Sequence, residues 1–170
     1  MSMLRAFRLA IVAALSLALA GCFTSKQPLF DEAQAVTALG DGGRFATYSR
    51  NGKRFERDKE PFEVRLKGKV YDFIDEKGVA MPVSFHPLGR GRFVAQAHLE
   101  SGDYGYAVVR IKAGETLVYA LDCAKQNATR LKSLGVEIRD SECVLDKVTH
   151  TQALFTVVRL GQPTSKLVRE

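Results

Sequence analysis

The chain of 170 residues lacks the short motifs that mark the common catalytic folds. There is no G-x-S-x-G, so the strand–turn–helix that raises a serine nucleophile in α/β-hydrolases has no counterpart. There is no H-E-x-x-H to set two histidines on one helix face for zinc. Neither a Walker loop nor a G-x-G-x-x-G offers a glycine cradle for phosphates. Histidine is scarce, and His86, His98 and His150 stand far apart. That spacing argues for no metal, and no cofactor is expected. Cysteine is scarce too, with three residues and no C-x-x-C, which argues against a redox pair. No internal repeat or low-complexity tract occurs. No apolar run reaches the roughly 20 residues that a membrane-crossing helix needs.

The longest apolar run, Leu9 to Ala20, is about a dozen residues, the length of a signal-peptide core. Arg5 and Arg8 precede it as a positive n-region. It ends in Leu19-Ala20-Gly21-Cys22, which resembles the lipobox of bacterial lipoproteins residue for residue. The resemblance implies that residues 1–21 are removed and that Cys22 becomes the first mature residue, carrying diacylglycerol and an N-acyl chain such as palmitate. Two or more chains give stable anchoring where one does not. In Gram-negative lipoproteins an aspartate after the cysteine favours retention in the inner membrane. Phe23 stands there instead. The resemblance therefore points to the periplasmic face of the outer membrane, with the inner membrane as the alternative.

Residues 22–28 read as the lipidated cysteine and a short tether, 29–162 as a single globular domain, and 163–170 as a flexible tail. Without residues 1–21 the chain keeps 23 basic and 19 acidic residues, a formal charge of +4. That modest excess suits anionic headgroups or wall polymer. An exported, membrane-anchored domain is not expected to bind nucleic acid. With Cys22 committed to lipid, Cys123 and Cys143 have one pairing open to them in an oxidising compartment, and a disulfide is expected.

Strand signals dominate after Gly42-Gly43. Asn51-Gly52 between "RFATYSR" and "KRFERD" reads as a hairpin. "PFEVRLK" alternates, with Phe62, Val64 and Leu66 on one face and Glu63, Arg65 and Lys67 on the other. "VYDFID", "VAMPVSF", "RFVAQAHL", "YGYAVVRIK" and "TLVYAL" follow, with turn residues between them. Pro82 suggests an edge or a bulge. Such close spacing requires mostly antiparallel pairing. After Asp122, an N-cap candidate, "CAKQNATRLKSL" has helical spacing and Gly135 as its C′ residue. "VEIR" reads as a further strand. Thr149 to Gln152 reads as a capping box before "ALFTVVRL", although that β-branched run also fits a strand. The expected fold is α+β: a mostly antiparallel, strongly curved or barrel-like sheet of about eight short strands, then one or two C-terminal helices.

Three features are candidates for a binding surface. Arg90 and Arg92 lie in the glycine-flanked "GRGR", where backbone N–H groups can form an anion-binding concavity. A solvated hairpin tip is the simpler reading. Tyr104 and Tyr106 share one strand face, suited to recognition or to a core rim. The mixed charges from Lys53 to Glu63 suit a wet hairpin face. The mature part resembles small proteobacterial envelope lipoproteins of the form "PLF…Y…C…C". Ser101-Gly102-Asp103-Tyr104 faintly resembles the inhibitory loop of periplasmic lipoproteins that block lysozyme. The expected function is a non-enzymatic binding or scaffold module in the periplasm, contacting the bilayer through its acyl chains and an envelope protein or anionic polymer through its domain. The alternative is an inhibitor or immunity protein against a wall- or membrane-attacking enzyme.

Overall fold

The computed structural model describes residues 23–58 and 60–170, so the lipobox and Cys22 lie outside it. In chain order the elements are β1 (Phe23–Ser25), β2 (Gly42–Asn51), β3 (Arg54–Arg57), β4 (Phe62–Lys67), β5 (Val70–Ile74), β6 (Ala80–Gly89), β7 (Arg92–His98), β8 (Tyr104–Lys112) and β9 (Glu115–Ala120). Then come α1 (Ala128–Ser133), β10 (Glu137–Arg139), β11 (Glu142–Val144), α2 (Thr151–Val157) and β12 (Ser165–Arg169).

Eight strands close a barrel in the order β8-β7-β6-β5-β4-β2-β12-β9 and back to β8. Every one of those pairings is antiparallel. Closure removes the exposed edges that an open sheet must guard. Alternation along each strand fills the interior. Val64 is buried inside, with Phe62 and Leu66 half-buried beside it, while Arg65 points out and pairs with Glu63 at 2.7 Å. Phe45, Phe62 and Phe73 stack in sequence, with ring centroids 6.0 and 5.4 Å apart, and Tyr71 meets Phe85 edge-on at 5.6 Å. Across from these rings β7 and β8 turn Ala95, Ala97 and Ala107 inward, so large side chains face small ones. The cavity left among Phe73, Phe85, Thr116 and Leu167 measures about 20 Å³, room for about one water.

One barrel end is plugged by the segment before β2. The Tyr71 hydroxyl accepts from Leu39 N (3.1 Å) and donates to Gly40 O (2.7 Å). Beyond it Gly42, at φ +85°, passes so close to β4 that a Cβ would collide with the Val64 carbonyl. Only glycine can start β2 at that place.

A second layer covers the outer faces of β6, β7 and β8. β1 pairs antiparallel with β8 and parallel with β11, and β10 completes this small sheet. With α1 and α2 it buries Val94, Tyr106 and Val108 from outside. Strand β8 is thus buried on both faces, which is why "YGYAVV" reads as a nearly unbroken apolar run. The disulfide Cys123–Cys143, with Cα atoms 5.6 Å apart, stitches this layer together as expected.

Several expectations change. The fold is mostly β, with two short helices. The helix over "CAKQNATRLKSL" breaks in two: a 3-10 turn at Cys123–Lys125, then α1. Asn127 causes the restart, its side chain accepting from Arg130 N at 2.9 Å as a new N-cap. Gly135 is the positive-φ residue after α1. The helix reading holds for residues 151–157, but no side chain caps it, so the capping box does not form. Residues 23–25 are no tether, because they are hydrogen-bonded within a sheet and Phe23 is fully buried. Residues 165–169 are no flexible tail, because they form β12, the stave between β2 and β9. Pro82 sits inside β6 opposite Asp72, just beyond the last partner on β7, so its missing N–H costs no ladder bond there. Among the described residues no helix is long and apolar enough to cross a membrane.

Candidate functional site: a cationic barrel face

The structure separates the candidate residues. Tyr106 is fully buried beneath the second layer and presents no surface. Its hydroxyl bonds Ser25 Oγ at 2.7 Å and accepts from Leu29 N at 3.1 Å, and burial pushes its pKa up to about 12. It pins the segment that follows β1. Gln96 does the same, its Oε1 accepting from Leu29 N and Phe30 N at 2.9 and 3.0 Å. Phe30 stacks on His86 at 4.7 Å, and burial pulls the His86 pKa down to about 4 against the opposing pull of Asp31. Tyr104 is half-buried and stacks on His98 at 4.9 Å, at the far end of β7 and β8 from Arg90 and Arg92.

Arg90 occupies the β6–β7 turn at φ +54°, and Arg92 begins β7. Phe93 and Ile111 pack toward the barrel core, so their neighbours Arg92 and Arg110 point outward. These two arginines are direct cross-strand partners. The registers carry this row on. Arg110 lies opposite Leu117, Leu117 opposite Lys166, Lys166 opposite Tyr48, and Tyr48 opposite Arg57. At about 4.8 Å per strand the row spans roughly 24 Å around the barrel.

Cations and rings interleave along it. Lys166 Nζ lies 5.0 Å from the Tyr48 ring centre and 5.4 Å from that of Phe55, and the Arg50 guanidinium lies 5.3 Å from Phe55. Such contacts hold long side chains in place. On the outward positions of these strands, counting Glu170 just after β12, only two carboxylates occur. Glu115 pairs with Lys166 at 3.3 Å, and Glu170 is shared by Arg44 and Arg57. Among the described residues Arg90, Arg92, Arg110 and Lys112 have no ion-pair partner. On the opposite wall, by contrast, Arg65 and Lys67 are matched to Glu63 and Asp72. The face is a fixed positive field with aromatic footing, suited to anionic groups spread over a surface.

Arg90 and Arg92 were candidates from the sequence, and Arg57 lies in the Lys53–Glu63 run expected to be a wet hairpin face, whereas Arg110, Lys166 and Tyr48 were not singled out. A signal was present, since "VVRIK" and "SKLVR" each set a cation at an outward position of an apolar strand. No family model, curated protein or solved structure matches this chain.

Proposed function

We propose that this protein is a lipid-anchored envelope lipoprotein whose domain is a non-enzymatic binding module, and that the cationic face is its binding surface. One observation carries the reading: four outward cations without ion-pair partners lie on and around a row that crosses six strands. Uncompensated like charges are a cost to the fold. Their concentration on one wall, while Arg65 and Lys67 on the opposite strands are paired, fits a surface kept for an anionic partner. The N-terminal address supports the envelope setting, with Cys22 acylated and the domain on the periplasmic face of the outer membrane. The barrel interior is packed, which favours recognition on its outside.

Two measurements test this. Cys22→Ser should abolish palmitate labelling and move the protein out of the membrane fraction. Equal labelling of the variant rejects the anchor. Crosslinking from positions 92 and 110 in intact cells should capture the partner, whereas equal capture from positions 65 and 67 rejects the face.

A further inference from the structure

We infer that the partner of the cationic face is the anionic phosphate headgroups of the bilayer that holds the protein, an inference that rests on the proposed envelope function. Charge complementarity is the first ground. The row offers guanidinium and ammonium groups, with no ion-pair partner for Arg92 or Arg110 among the described residues, and guanidinium binds phosphate oxygens in a bidentate fork. Half-buried Tyr48 and Phe55 lie among the cations. Aromatic rings beside basic side chains suit the headgroup region.

The second ground is the position of β1. Thr24 and Ser25 pair with Gly105 and Tyr104, so the antiparallel register runs Phe23 toward Tyr106. Ala107, the next residue of β8, is paired with Ala120, so β9 takes up the edge of β8 beyond Phe23. Phe23 therefore stands about 13 Å along β8 from Arg110, at roughly 3.3 Å per residue. Phe23 is fully buried, so the residue that follows Cys22 is held within the fold. Acyl chains on Cys22 would hold the bilayer beside this flank rather than at the end of a tether. A rigid entry point next to unpaired arginines fixes which wall meets the lipid.

The test uses residues 23–170, which contain the whole closed barrel and its covering layer, so that binding is read without the anchor. Vesicles of phosphatidylcholine alone and of phosphatidylcholine with phosphatidylglycerol are sedimented with the protein at low and high salt. Binding should require phosphatidylglycerol and fall with salt. Arg92→Ser/Arg110→Ser should weaken it about thirtyfold, at roughly fivefold per cation near the surface. Arg65→Ser/Lys67→Ser removes the same charge from the opposite wall and should leave it within about twofold. The inference is overturned if anionic vesicles are not bound, if the two double variants weaken binding equally, or if the face captures an acidic protein or wall polymer while ignoring vesicles. Because the vesicle assay uses no acylated protein, failure of Cys22 labelling would reject the anchor without touching this result.

Discussion

Arg92 on β7 and Arg110 on β8 stand directly opposite each other, and among the described residues no carboxylate is in ion-pair reach of either. Like charges in cross-strand register destabilise a sheet. Arg110→Thr keeps a good strand former and removes the repulsion. It should raise stability by about 0.5 kcal/mol, more at low ionic strength than at high. Urea melts at two salt concentrations measure this, and a variant less stable at low salt would contradict the described pairing.

Leu167 tests barrel closure. It is 2 % exposed and belongs to the strand that joins β2 to β9. Leu167→Ala should cost about 2–4 kcal/mol. The exposed neighbour Gln162→Ala should cost under about 0.5 kcal/mol. Deleting residues 163–170 should prevent a cooperative melt, because two strand edges lose their ladder together. A cooperative melt of the truncated chain would show that the barrel closes without β12.

The disulfide joins residues separated by 20 positions in the second layer. Cys123→Ala and Cys143→Ala should each lose about 3 kcal/mol in the chain-entropy account, and the double variant should be no worse than either single. Alkylation and mass spectrometry of protein from cells should find neither thiol free.

His86 predicts a pH dependence. Burial places its folded pKa at about 4, below the unfolded value of about 6.5. Between those values the unfolded chain binds more protons than the folded one, so stability rises with pH across that window. Lowering the pH from about 7 to 4 should therefore weaken the fold, and below the folded value His86 adds nothing further. His86→Phe, which keeps a ring against Phe30, should remove this part of the slope. An unchanged slope in melts from pH 4 to 7 would assign the acid sensitivity to other groups.

Much of the barrel was legible because its signals are local. "PFEVRLK" declares its two faces by alternation, and the hairpin at Asn51-Gly52 forms one residue later than the turn rule places it, with Gly52-Lys53 as the loop. The expected strand count matched the barrel, but through an exchange. The hairpin strand β3 lies outside the closed ring, and β12 takes its place. "SKLVR" is only five residues long, and its value as a strand comes from two partners more than forty residues away. The same holds for Phe23–Ser25, whose three residues become a strand only between β8 and β11.

The local alternation, the turns, the one available pairing of Cys123 with Cys143, and the resemblance at Cys22 that suggests an address are all readable along the chain. Each is a property of neighbours along the chain or of simple counting. Which strands close the ring, which face of β8 receives a second layer, and which cations share a row were decided only by the tertiary structure. Tyr104 and Tyr106 show why. Both point the same way from one strand, as period two requires, yet Tyr106 is sealed under Phe155 and the segment after β1 while Tyr104 stacks on His98. Exposure depends on what a distant part of the chain lays over a face. In the same way Arg92 and Arg110 lie 18 residues apart and become neighbours through the β7–β8 register alone. Residue type chose the charges. Register across a closed barrel brought them together.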